Sequence, residues 1–395
     1  MSQPACPAPK QGQAEGRPSV ADIFRCHGPD YLRDHILPPA QGKALRAIID
    51  CRTAALGGHL QTCLDCGKTW PTYNSCFNRH CPTCQGAAAA RWLESRLDRI
   101  LPTHYFHVVF TLPEPLRCVA LANPKRVYDL LFAAATDTLQ TLAASKLEAQ
   151  LGITAVLHTW TREMLLHPHL HCVVTGGGLS LDQQRWVACR EKFLFSVHVM
   201  GDLFRGKFMA ALLKEHAREP LHFVGTSAHL ADPHAFASWK DRLYKTHWVV
   251  FAKRPFGGPT QVITYLARYT HRVAISNSRV LAANEHRVVL KTRGERTVTL
   301  RPDEFIRRFL LHVLPPDFRK IRHYGLLAPA NVRSRFLIAH RLLDEAGHPH
   351  DTRRVEAGEL LGMPRDPVIR CPACGSTNVY CELLGADARA PPVAA

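Results

Sequence analysis

The spacing of apolar and polar positions changes several times along the chain, and each change marks a segment. Residues 1–19 have no period; they are rich in Pro, Gly and Gln and predict a disordered tail. Between 20 and 100, apolar residues at helical spacing (Leu45, Ile48, Ile49) break at Gly57-Gly58, and a second helical pattern over 87–101 closes the segment. Residues 105–112 form a β-rich run stopped by Pro113, and 125–150 read as an amphipathic helix. Residues 153–160 and 169–175 then predict two antiparallel strands joined by a loop around 162–166, the second ending at Gly176-Gly177-Gly178. Helical patterns follow at 203–218 and 260–270. Extended ones fall at 248–252, at Val280, at 287–290 and at 297–300. After about 325 the chain is helical, then Pro and Ala rich around Cys371-Pro372-Ala373-Cys374-Gly375. Strands and helices mix without a βαβ cadence and no repeat is present, so the expected class is α+β. The division is a tail (1–19), a Cys/His-rich domain (20–100), a domain with a central antiparallel sheet flanked by helices (101–325), and a C-terminal helical segment and tail (326–395).

Charge narrows the functions that fit. A formal charge of +17 spread over 395 residues points to a polyanionic partner, nucleic acid first. No run approaches the roughly 18 apolar residues of a membrane span, and residues 1–19 lack the apolar core of a secretion signal. The expectation is a cytoplasmic, nucleoid-associated protein with no membrane contact. In that reducing setting fourteen cysteines, six of them in three C-x2-C pairs beside Gly or Pro, read as metal ligands rather than disulfides.

Cys63-x2-Cys66 and Cys81-x2-Cys84 have the spacing of a four-thiolate zinc site. Cys51, His59, Cys76 and His80 interleave with them and would complete a second site. A domain this small has little core, so zinc would contribute much of its folding free energy. Arg79, Arg91, Arg96 and Arg99 give the domain a cationic side for nucleic acid. Cys371 and Cys374 form half of a further site, to be completed by Cys381 or a distant His. Gly67-Lys68-Thr69 looks like the end of a P-loop, but Thr62 stands where that loop needs glycine, so no ATPase site follows.

Catalytic chemistry is suggested by His167-Pro168-His169-Leu170-His171. On a strand His169 and His171 share one face while Leu170 points to a core. A hairpin centred near Glu163-Met164 would set His158 opposite His169 and Trp160 opposite His167, placing His158 within ligand reach as the third ligand, with Glu163 or another residue as the alternative. Tyr265 and Tyr269, at i,i+4 on a helix carrying Arg268, His271 and Arg272, supply two nucleophiles among phosphate-binding cations. A divalent cation polarises a phosphodiester, the cationic side chains neutralise developing charge, and a tyrosine attacks in line. Mg²⁺ or Mn²⁺ suits such a site.

Taken in order, Cys51 to His59, Tyr73 to Cys84, Phe110-Thr111-Leu112-Pro113, Leu157-His158-Thr159-Trp160, His167 to His171 and Tyr265 to Arg272 resemble the rolling-circle insertion-sequence transposases of the HUH endonuclease superfamily, two-tyrosine class. The resemblance covers nearly the whole chain. It implies an N-terminal zinc-binding domain, an HUH-type nuclease, cleavage of single-stranded element ends and target, and a 5′-phosphotyrosine with a free 3′-OH. It also implies His169 and His171 as metal ligands and Tyr265 and Tyr269 as nucleophiles, with strand separation left to host helicase or replication machinery. The competing readings are a plasmid replication initiator or relaxase with the same chemistry, and a non-enzymatic zinc-ribbon nucleic-acid binder with both tyrosines buried.

Overall fold

The first helix starts where Ser19 and Asp22 close a capping box: the Ser19 hydroxyl accepts from the Asp22 amide, and the Asp22 carboxylate accepts from the Ser19 amide. The computed structural model describes residues 17–97, 99–253, 264, 273–347 and 369–386. Helix α1 (Val20–Asp34) packs on α2 (Pro39–Asp50), burying Ile23, Phe24, Leu45 and Ile48. The helical pattern at Leu45 is therefore the second helix of its segment. There follow β1 (Gly58–Cys63), β2 (Thr69–Tyr73), α3 (Gln85–Leu97), β3 (Tyr105–Thr111), α4 (Arg117–Ala122) and α5 (Pro124–Leu147). Then come β4 (Ala149–Trp160), β5 (Leu166–Ser180), β6 (Trp186–Ala188), α6 (Val197–Arg218), α7 (Pro233–Lys245) and β7 (Val250–Lys253). The chain continues with β8 (Val280–Ala283), β9 (Val288–Lys291), β10 (Thr297–Leu300), α8 (Pro302–Leu310), β11 (Ile321–Gly325), α9 (Arg335–Glu345) and β12 (Val379–Leu384).

The central sheet is antiparallel with strand order β11-β4-β5-β3-β7, and β6 adds to β5. Alternation gives it two unlike faces. Val108, Phe110, Ile153, Ala155, Leu157, Leu170, Cys172 and Val174 point to one side and form the main core with Leu131, Phe132 and Leu139 of α5 and Phe204, Phe208 and Leu212 of α6. Residues of the opposite parity, among them His107, His158, His169 and His171, face the other side. Burial of the first set therefore aims the second, because a one-residue slip would exchange the two faces. The α+β class and the central antiparallel sheet flanked by helices are as expected.

Three expectations are corrected. First, β5 does not end at Gly176 but runs through Gly176, Gly177 and Gly178 to Ser180. These glycines mark close approach: a Cβ on Gly177 would lie 2.5 Å from the Val187 carbonyl oxygen and 2.8 Å from Trp186 Nε1 of β6. Second, Trp160 opposes Leu166 rather than His167, because the hairpin register shifts between His158 and Trp160. Third, 326–395 is not one terminal unit: α9 packs near Leu326 and Leu327, whereas β12 pairs with β1 in the sheet β12-β1-β2. The expected helix over 260–270 lies outside the described residues apart from Thr264.

Gly177→Ala should lower stability by about 1–3 kcal/mol, the usual cost of forcing extra volume into a closed contact. Denaturant midpoints test this. An unchanged midpoint would mean that β6 yields freely.

Candidate metal centres and active site

Among the described residues the cysteines form two four-thiol clusters, grouped differently from their order in the sequence. Cys51, Cys76, Cys81 and Cys84 converge at the end of α2 and the start of α3, and Cys63, Cys66, Cys371 and Cys374 converge between the β1–β2 turn and the approach to β12; within each, the sulfurs lie within 4.8 Å of one another. Adjacent sulfurs stand 3.6 Å (Cys51–Cys84), 3.7 Å (Cys76–Cys84) and 3.7 Å (Cys81–Cys51) apart in the first cluster. In the second they stand 3.6 Å (Cys63–Cys374) and 3.5 Å (Cys66–Cys371) apart. A tetrahedron with Zn–S bonds of about 2.3 Å has S···S edges of about 3.8 Å, so both clusters fit structural zinc. The second is clasped further by Asp65, which accepts from Ser376 and from Asn378 Nδ2.

The expected set Cys63, Cys66, Cys81 and Cys84 is thus split, and the half-site Cys371/Cys374 is completed by Cys63 and Cys66 rather than by Cys381 or a histidine. His59 lies exposed on β1, opposite Thr72 and Leu383, and belongs to neither cluster. His80 is buried: its Nδ1 donates to Asn78 Oδ1 (3.1 Å), and its Nε2 accepts from the Leu314 amide (3.2 Å). It joins the zinc module to the segment after α8 instead of binding metal. Arg79, read from the sequence as a nucleic-acid contact, adds a second joint by donating to the Phe318 carbonyl at 2.8 Å.

On the sheet's second face, the nitrogens of His158, His169 and His171 lie within 4.8 Å of one another. The backbone register brings them there, since His158 pairs with His169 and His171 with Val156, leaving the three rings side by side. His169 Nδ1 donates to the His167 carbonyl at 2.6 Å, which frees Nε2 as a donor to a cation. His171 Nδ1 is hydrogen-bonded to His107 Nε2 at 2.7 Å, which fixes its ring in the same sense. Burial pushes His169 and His107 down to about 4 and His171 well below its ordinary value, so the rings are neutral with their lone pairs available. His158 stacks on Trp160 at 4.7 Å, and Lys320 lies 4.9 Å from the Trp160 ring on which it sits. Glu163, the alternative ligand, lies exposed in the hairpin loop and is not in the group.

Sequence reasoning missed two histidines. His107 alternates correctly on the strand Tyr105–Thr111 and could have been found by asking which neighbour of β5 shares the histidine face. His312 left no local signal: its Nε2 donates to the Met164 carbonyl (3.0 Å) and its Nδ1 accepts from Thr159 (3.1 Å), bracing the hairpin loop next to the site. Tyr265, Tyr269, Arg268, His271 and Arg272 lie outside the described residues. The flanks of their segment are described: Lys253 pairs with His107 on β3, and Val273 packs in the core that contains Met164.

Two outcomes are expected. The variant Cys371→Ser/Cys374→Ser should carry one zinc per chain by elemental analysis where the wild type carries two, and two in the variant would contradict the grouping. Neutral His80, His312 and half-buried His323, held down to about 3, 4 and 4 by desolvation, bind fewer protons folded than unfolded between pH 6.5 and 4. Stability should therefore be full above about pH 6.5 and fall as pH drops through that window, less steeply in His312→Asn; equal slopes would contradict this source of acid sensitivity.

Comparison with known proteins agrees with this architecture. Residues 23–112 match the family described as "Transposase zinc-binding domain", and residues 152–335 match the one described as "Putative transposase". A Sinorhizobium fredii protein named "Putative transposase y4qJ" is 44% identical over 376 residues, covering 91% of this chain and 94% of that one. The Pseudomonas savastanoi pv. phaseolicola protein named "Transposase for insertion sequence element IS801" is 28% identical over 347 residues, covering 84% and 81%. No helix among the described residues is long and apolar enough to cross a membrane. The chain belongs to the insertion-sequence transposases that join a zinc-binding domain to a transposase domain.

Proposed function

We propose that this transposase cleaves and rejoins single-stranded DNA through tyrosine–phosphate bonds, with His158, His169 and His171 holding a divalent cation. The observation that carries the reading is the convergence of three imidazoles on one sheet face, His158 buried and His169 and His171 half-buried, the latter two oriented by the His167 carbonyl and His107. When bound there, the cation withdraws charge from the non-bridging oxygens of the scissile phosphate. Among the described residues the donor set is all nitrogen, and residues 254–272 contain neither Asp nor Glu. Imidazole ligands suit Mn²⁺ better than Mg²⁺, which prefers oxygen.

The nucleophiles in this reading are Tyr265 and Tyr269. Their segment begins after Lys253, the partner of His107, and ends before Val273, which belongs to the same core as Met164 of the β4–β5 loop. A phenolic oxygen forms a bond to phosphorus as the P–O3′ bond breaks, its proton is lost to solvent, and the departing 3′-oxygen takes one up to become a hydroxyl. Phosphodiester number is conserved, so no nucleotide cofactor is consumed. Arg268, His271 and Arg272 neutralise charge on the strand. A second tyrosine one helical turn away can cut another strand while the first is still esterified, which a transfer of DNA ends requires. Single strands would be supplied by a host helicase or by replication.

Incubation with labelled single-stranded element ends and Mn²⁺ should give a protein-linked oligonucleotide on a denaturing gel. Tyr265→Phe and Tyr269→Phe should each keep some cleavage and lose transposition, and the double variant should form no adduct. His169→Ala/His171→Ala should bind DNA but not cut it, because affinity comes mostly from phosphate contacts elsewhere. Adduct formation by the double tyrosine variant, or wild-type cutting by the double histidine variant, would end this reading.

A further inference from the structure

Four residues that directly follow a cluster cysteine have a left-handed backbone: Arg52 (φ 56°), Gly67 (73°), Phe77 (50°) and Gly375 (76°). The turn that wraps the chain around a thiolate recurs in both clusters. In the second cluster glycine occupies it, and a Cβ at Gly67 or Gly375 would meet nothing within 4 Å. Backbone conformation, not lack of room, therefore favours glycine there. The first cluster keeps the same conformation with two large side chains, for which that region is strained.

Strain of this kind persists only where something offsets it. Met164, also left-handed, is fully buried and its packing supplies the offset. Phe77 is 83% exposed and Arg52 is exposed, so neither side chain recovers that cost by packing. The two follow Cys51 and Cys76, whose sulfurs belong to one cluster, and the Arg52 amide donates to the Asn74 carbonyl at 3.0 Å. An aromatic ring and a guanidinium thus stand on two segments joined at one cluster. The Phe77 segment is anchored by His80 to Leu314 and by Arg79 to Phe318. The ring's neighbours in sequence, Ser75, Asn78 and Arg79, are polar or cationic, which suits a solitary stacking platform rather than an apolar protein interface.

We propose that Phe77 and Arg52 form a nucleic-acid contact on the first zinc cluster, Phe77 stacking on an unpaired base and Arg52 pairing with an adjoining backbone phosphate. Aromatic stacking with a nearby cation is how single strands are gripped without regard to sequence. The contact rests on the single-stranded substrate of the proposed function but not on its tyrosine chemistry.

The test uses the zinc-loaded full chain without added Mg²⁺ or Mn²⁺. Binding of a labelled mixed-sequence single-stranded oligonucleotide is followed by anisotropy, and thermal unfolding is measured in parallel. Phe77→Gly should raise the melting temperature by relieving the backbone, yet weaken binding about ten-fold through loss of one stack. Phe77→Trp should keep the affinity, and Arg52→Gly should raise the melting temperature and lower the salt slope by about 0.7, one phosphate. Affinity of Phe77→Gly within about two-fold of wild type would overturn the proposal, as would a lowered melting temperature, which would mean that the ring packs within the fold. So would loss of a dimer in sedimentation with DNA binding intact, which would assign the ring to a second copy. If wild type forms no adduct but Phe77→Gly still weakens binding, the nuclease reading fails and this contact stands; adduct formation with no Phe77 effect gives the reverse.

Discussion

The pairing of His158 with His169 across the β4–β5 hairpin is the constraint on which the site depends. Two strands that alternate in and out can present three histidines together only in one register, and that register is held from the opposite face. Leu157, Leu170 and Cys172 are fully buried against the helices, so slipping the pairing by one residue would expose them and bury imidazoles in a hydrocarbon core. His312 braces the loop from outside the hairpin, and the register shift after His158 absorbs the mismatch before the turn. The site is thus aimed by packing energy that involves no functional residue. The same burial keeps the imidazoles neutral, which is the state that donates to a cation.

The zinc module depends on the chain closing on itself. Its second cluster takes two thiolates from the β1–β2 turn and two from Cys371 and Cys374, while β12 completes the sheet beside β1. Neither half can hold a tetrahedral ion alone, so binding contributes to closing a loop of some three hundred residues, an entropic cost that grows only slowly with length. Side-chain contacts then tie module to sheet: His80 to Leu314, Arg79 to Phe318, and Arg96 to His323 Nε2 at 3.0 Å. The first cluster, with its strained and exposed Arg52 and Phe77, therefore has a defined orientation relative to the histidine face.

What the sequence revealed and what it hid follow from the range of the interactions. His169 and His171 were legible because their spacing is a local consequence of strand geometry, and His158 because hairpins are local too; the bulge that moved Trp160 opposite Leu166 was not, being a compromise between turn and core. The cysteines were legible as ligands but not as partners, because C-x2-C fixes a knuckle and says nothing about which knuckle it meets three hundred residues away. His80 and His59 looked like ligands by proximity in sequence, yet one was recruited by a distant amide and the other left on a strand's outer face. Gly176-Gly177-Gly178 read as a stop because glycine breaks strands on average; here it admits β6 and His104 to close approach.

The most direct test of this account is the position of the cation. Crystals grown with Mn²⁺ and measured at the manganese edge should show one anomalous peak bounded by nitrogens of His158, His169 and His171, with zinc-edge peaks confined to the two tetrathiolate clusters. A manganese peak elsewhere, with the three histidines bonded only to protein and water, would contradict it.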